Sequence, residues 1–96
     1  GKIVAASRVM GAEKLLQLEV DLGNELGTTT TVAAIAKYYT PEELTGKLVV
    51  VLANLQPATI RGILSEGMVL AALDEASGKL ALVTVDKEVG VGMKVT

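Results

Sequence analysis

Only one stretch of this chain carries the signals of a helix start, and it is cut short. Thr40-Pro41-Glu42-Glu43 offers a capping hydroxyl, a proline at the first helical position and a glutamate placed to close a capping box. Gly46 follows quickly, so the helix is brief. The rest reads as short extended segments between turns. Ile3–Val9 alternates loosely and closes at Gly11. Leu15–Val20 alternates well, with Leu16, Leu18 and Val20 on one face and Gln17 and Glu19 on the other. LGNELG makes a Gly/Asn turn, and Thr28–Ala36 is a Thr/Val/Ala run of high strand propensity. Leu48–Leu52 reads as a buried central strand, Pro57 marks a loop, and Gly67–Leu73 is the next strand. Glu75–Gly78 is a turn, Leu80–Val85 a strand, Gly90-Val91-Gly92 a turn, and Lys94–Thr96 a candidate last pairing. Many short strands with one short helix in the middle predict a small barrel.

Ninety-six residues suit a single domain over 1–96, with no repeats, linker or low-complexity tract. Half the chain is hydrophobic, yet Phe and Trp are absent and Tyr38 and Tyr39 are the only aromatics. The core is therefore aliphatic, and one tyrosine is expected to serve as a staple beneath the helix rather than as a base-stacking platform. Cysteine and histidine are both absent, which excludes disulfides and thiolate metal sites and removes the commonest general base and metal ligand. Glu42 and Glu43 suit the helix dipole, while Asp74, Glu75, Asp86 and Glu88 read as solvated turn residues. The GVG at 90–92 lacks the strand–Gly–helix order of a phosphate cradle. No enzyme, cofactor or metal site is expected. No apolar run reaches the length of a membrane span and no signal peptide is visible, so a cytoplasmic location is expected.

The net charge is −2, and the nine cations are scattered. A nucleic-acid module is usually basic along one face. The segment that bears on this is Ala53-Asn54-Leu55-Gln56-Pro57-Ala58-Thr59-Ile60-Arg61-Gly62-Ile63-Leu64-Ser65-Glu66-Gly67-Met68. It resembles the tRNA-binding OB-fold domains. These occur as a free-standing structure-specific tRNA-binding protein, at the C-terminus of methionyl-tRNA synthetases, and in endothelial monocyte-activating polypeptide. The family loop reads A-N-L-K-P-x-K-x-R-G-V-x-S-Q-G-M; here its two lysines and its glutamine are replaced by Gln56, Thr59 and Glu66. The resemblance covers about the whole chain, through RVMGAEKLLQLEVDLG, IAKYYTPEELTGK and VDKEVGVGMKV. It implies an all-β, five-stranded OB-fold barrel with one short helix. It also implies tRNA contact by Asn54, Arg61, Ser65 and Met68, of which Arg61 is the one cation left in the loop. The same loop residues have a plainer role, since proline and glycine fix turn geometry.

Other departures from the family suggest self-association. Met10, Leu26 and Met93 fall in turn-like positions, and Ala33-Ala34 stands where the family often has Ser-Gly or Ala-Gly. Met10, Leu26, Ala33 and Met93 are thus candidate interface residues, apolar where charge is common. The chain begins at its first strand and stops just after its last, which speaks against a dimer built on flanking segments. Two functions compete. In one, the chain is a non-catalytic scaffold with its RNA face stripped of charge, an engineered self-assembling subunit partnered by itself as a dimer or larger assembly, or by a second designed chain. In the other, it is a functional tRNA-binding domain, dimeric or appended to an aminoacyl-tRNA synthetase, with weakened binding. The charge loss tilts the expectation toward the scaffold.

Overall fold

The computed structural model describes residues 1–54 and 56–96; the loop match at Leu55 lies outside the described residues. The elements run β1 (Lys2–Val9), β2 (Ala12–Asp21), β3 (Thr28–Ala33), α1 (Pro41–Leu44), β4 (Val51–Leu52), β5 (Ala58–Ile60), β6 (Ile63–Ser65), β7 (Met68–Val69), β8 (Ala71–Asp74) and β9 (Lys79–Leu82). The chain is all-β with one short helix. β1, β2 and β3 form an antiparallel three-stranded sheet, and β4–β7, β5–β6 and β8–β9 are two-stranded ladders.

The period-two pattern of β2 decides which way the sheet faces. Leu16, Leu18 and Val20 are fully buried. They pair with Ala33, Thr31 and Thr29 of β3, and cross-strand partners share a face. On the outer face the Glu19 carboxylate accepts from Gln17 Nε2 at 3.1 Å and from the Thr30 hydroxyl at 2.9 Å. The β1–β2 hairpin turns at Met10-Gly11, and Gly11 takes φ 79°.

The expected central strand at Leu48–Leu52 is divided between two neighbours. At its start, Leu48 bridges Lys2 and the Ile3 N–H donates to Lys47 O at 2.9 Å. At its end, Val51 and Leu52 pair with Val69 and Met68. The expected strand at Gly67–Leu73 also breaks, because Leu70 changes partner. Its N–H donates to Val50 O at 3.0 Å while its carbonyl accepts from Val83 N at 3.0 Å. Beyond it, β8 and β9 form a hairpin closed by the expected turn. No ladder includes 94–96 among the described residues.

Ladder pairing therefore does not run continuously round a five-stranded barrel among the described residues. Between β3 and β7 the connection is made by one backbone bond, Glu66 N to Thr30 O at 2.8 Å, and by side-chain hydroxyls. Opposite β3 stand two short strands, β6 and β7, interrupted at Glu66-Gly67, so no single strand runs alongside it to form a ladder.

The core is aliphatic, as composition required: Ile3, Leu16, Leu18, Val20, Leu22, Ile35, Leu44 and Val49 form one buried cluster. Each such side chain contributes about 1.5–3 kcal/mol on burial. The helix docks through fully buried Leu44. Its cap is the expected box, with Glu43 N donating to Thr40 Oγ1 at 3.3 Å and Thr40 N donating to Glu43 Oε1 at 2.6 Å. Tyr39 packs on the core, and its hydroxyl accepts from Leu82 N at 3.0 Å, which ties the helix approach to β9.

Candidate nucleic-acid contact surface

The segment after Pro57 forms a tight hairpin, with Ala58, Thr59 and Ile60 paired to Ser65, Leu64 and Ile63. Arg61 and Gly62 are the whole turn, at φ 52° and φ 80°. Two consecutive positive φ values belong to the primed two-residue turn, whose twist matches the strands it joins. Arg61 is the only non-glycine residue with positive φ among the described residues. An L-residue there carries about 1–2 kcal/mol of strain relative to the right-handed form. The turn thus pushes an exposed guanidinium out at the hairpin tip. It is also the only cation between Lys47 and Lys79.

The other expected contact residues are arranged around this hairpin in different ways. Asn54 is exposed just past β4, and Met68 is half exposed on β7, where it pairs with Leu52. The register brings those two onto neighbouring stretches. Ser65 is 7% exposed, so its hydroxyl faces inward rather than toward a ligand. It accepts from Val32 N at 3.1 Å and lies 3.4 Å from both Thr31 Oγ1 and Gly67 O. Thr31, fully buried, donates to Gly67 O at 2.9 Å. Sequence reasoning did not pick out Thr31 as a site residue; its buried place follows from pairing with Leu18 in the β2–β3 register, which the structure supplies. It missed the hairpin too, although an X-Gly pair flanked by Ile60 and Ile63 is a turn signature. Gln56, Thr59 and Glu66, where the family motif has charge or amide, are all exposed.

The four candidate interface residues separate. Met10 is 98% exposed at the β1–β2 turn. Ala33 is not an exposed apolar position: it pairs with fully buried Leu16 and packs on the core, so its methyl points inward. Leu26 and Met93, each 66% exposed, do share a surface. Both line a hollow of about 570 Å³ with Leu52, Val85, Val89 and Val95. Two glycines bring their turns together. A Cβ on Gly92 would lie 2.8 Å from Leu22 O, and one on Gly23 would lie 3.0 Å from the Gly92 Cα.

Among the described residues no group of three or more acidic side chains is placed to hold a metal, and no helix is long and apolar enough to cross a membrane.

The fold is that of an all-β chain with one capped helix turn and an exposed arginine at a hairpin tip. The chain belongs to the tRNA binding domain family, whose model matches residues 1–94. Methionine–tRNA ligases are among its relatives: that of Methanocaldococcus jannaschii is 48% identical over 95 residues, and that of Thermotoga maritima 50% over 95 residues. Each match covers 99% of this chain but 14% of the ligase. The crystal structure of a MetRS-related protein from Pyrococcus horikoshii superposes with a TM-score of 0.90 at 40% identity, covering 100% of this chain and 85% of that one. That of the chaperone CsaA from Bacillus anthracis gives 0.89 at 33% identity, covering 100% and 86%. These likenesses support the tRNA-binding expectation over the engineered scaffold that the charge loss had favoured.

Proposed function

We propose that this chain is a non-catalytic tRNA-binding module whose contact surface centres on the Arg61 hairpin. The carrying observation is the left-handed Arg61 at the tip of a two-residue turn, a rigid presentation of one cation to a phosphate. Asn54 and Met68, exposed beyond the base of the hairpin, would supply an amide and an apolar contact. Its organising topology is an OB-type barrel in which β1, β2, β3, the Leu48–Leu52 run and the Met68–Asp74 run play the five strands. With a net charge of −2, recognition rests on shape and few phosphate contacts rather than on a broad basic face. Such a module acts best appended to a larger tRNA enzyme, where tethering raises its effective concentration. Arg61→Ala should weaken binding of unfractionated tRNA and flatten the slope of log affinity against log salt by about 0.9. Identical affinities for variant and parent across a salt series would put the contact elsewhere.

A second property has its own observation. The hollow bearing Leu26 and Met93 also carries Glu25 and Lys94. Under a two-fold axis the same patch meets itself, so each glutamate can face the partner's lysine while the apolar knobs enter the hollow. This favours a homodimer through that face.

A further inference from the structure

We infer that Thr31 and Ser65 act together as a buried hydroxyl latch that sets the direction of the Arg61 hairpin. They are positioning residues for tRNA binding, not contact residues. The inference rests on the hairpin being the contact surface.

The geometry begins with where the hairpin is anchored. Its far strand, β6, ends at Ser65, and the chain then passes beneath β4 at Gly67. A Cβ on Gly67 would lie 3.0 Å from Leu52 O and 3.2 Å from Val51 Cγ1, so a side chain there would crowd β4. Residues 65–67 are thereby pressed between β3 and β4. Toward β3, a regular ladder would have offered a row of backbone bonds. Only Glu66 N to Thr30 O is made, at 2.8 Å. The remaining groups are satisfied by the two hydroxyls.

Proton bookkeeping shows that the pair works as a unit. The Thr31 hydroxyl donates to Gly67 O at 2.9 Å. The Ser65 oxygen accepts from Val32 N at 3.1 Å. Its own proton can turn to Thr31 Oγ1 or to Gly67 O, each 3.4 Å away. Neither hydroxyl is left unpartnered, and no buried side-chain polar atom among the described residues is orphaned. Removing the Ser65 hydroxyl takes the side-chain acceptor from the part-buried Val32 N–H, and removing the Thr31 hydroxyl leaves Gly67 O with only the longer 3.4 Å contact to Ser65. The sheet and the hairpin base would then be joined by the Glu66–Thr30 bond and the one remaining hydroxyl. Arg61 sits at the opposite end of β5–β6, so a small rotation at Ser65 becomes a larger displacement at the guanidinium.

The test is a double-mutant cycle on the whole chain, with unfractionated tRNA as the probe. Ser65→Ala and Thr31→Val are each measured alone and with Arg61→Ala, across a salt series, at a temperature where circular dichroism shows all of them folded. If the latch acts through Arg61, each truncation loses about tenfold in affinity at 0.1 M salt and flattens the salt slope by about 0.9. Neither truncation then weakens the Arg61→Ala protein further, since effects routed through one group do not add. Thr31→Ser, which keeps the hydroxyl, should bind like the parent. Parental affinity in Ser65→Ala, or an equal loss in the Arg61→Ala background, overturns the latch. Should a truncation unfold the chain, Ser65→Cys, with its weak S–H donor, takes its place. Hydrogen exchange decides the matter without RNA. Faster exchange confined to residues 58–65 in Ser65→Ala supports the latch, and unchanged or uniformly faster exchange overturns it. A parent that fails to bind tRNA, or that binds no better than Arg61→Ala, refutes the contact surface and leaves the latch to the exchange result.

Discussion

Arg61 occupies a backbone conformation that its side chain does not favour, so stability and function pull in opposite directions there. The two-residue turn it shares with Gly62 is best served by Asn-Gly. Arg61→Asn should therefore raise the stability of the protein by about 0.5–1 kcal/mol, because asparagine tolerates the left-handed region better than arginine does. The same change removes the guanidinium and should lower tRNA affinity. Denaturant midpoints and a tRNA titration on one protein preparation check both halves. A variant less stable than the parent would mean that Arg61 makes a stabilising contact that the turn geometry does not reveal.

At the scale of elements, the β5–β6 hairpin and the β8–β9 hairpin behave as separate units, each closed by its own turn. The first has lost charge that the family motif carries, but its substituted positions are solvent-exposed and free to take it back. Gln56→Lys with Thr59→Lys and Glu66→Gln adds three units of positive charge in and beside this hairpin. At about 0.9 in slope per regained phosphate contact, tRNA affinity at moderate salt should rise by roughly one to two orders of magnitude. No gain in a filter-binding series would mean that the hairpin does not face the nucleic acid. The second hairpin is closed at Asp74, whose carboxylate accepts from the Ser77 hydroxyl at 2.8 Å and from Ala76 N at 3.1 Å. Chiefly the Ser77 bond, then the backbone amides, hold its pKa below the ordinary carboxylate value. A lowered folded pKa contributes stability above the unfolded pKa and loses it as pH falls through the folded one. Amide exchange in β8–β9, corrected for its intrinsic pH dependence, should therefore quicken as pH drops below about 3.9. Asp74→Asn should abolish that step.

At the scale of the whole molecule, Leu26, Leu52, Val85, Val89, Met93 and Val95 gather exposed apolar surface around one hollow. Leu26 and Met93 come from turns far apart in sequence, brought together by the crossing of Gly23 and Gly92. If this hollow joins two copies, Met93→Glu buries an unpaired carboxylate at each copy of the contact, which costs several kcal/mol. Light scattering should then show the mass of a dimer falling to that of the monomer, with circular dichroism unchanged. Met10→Glu should leave the mass as it was, since Met10 does not line this hollow. A parent already monomeric at high concentration would end the dimer proposal.

Local signals on this chain were legible wherever a few neighbouring residues decide the outcome. The capping box at Thr40, the inward face of β2, the aliphatic core and the Glu75–Gly78 turn follow from spacing and composition alone. The likeness of the loop to a tRNA-binding family was equally visible, because it lies in residue identity. What the sequence could not decide was partnership. Leu48–Leu52 and Gly67–Leu73 each read as one strand, yet each serves two neighbours, because a backbone group's partner is chosen by what lies across from it in space. The same limit hid the roles of single residues. Ser65 carried the signature of a contact and turned inward, Ala33 read as surface and faced the core, and Thr31 drew no notice until Gly67 arrived beside it. Those outcomes depend on register and on closure of the chain upon itself, which only the tertiary structure supplies.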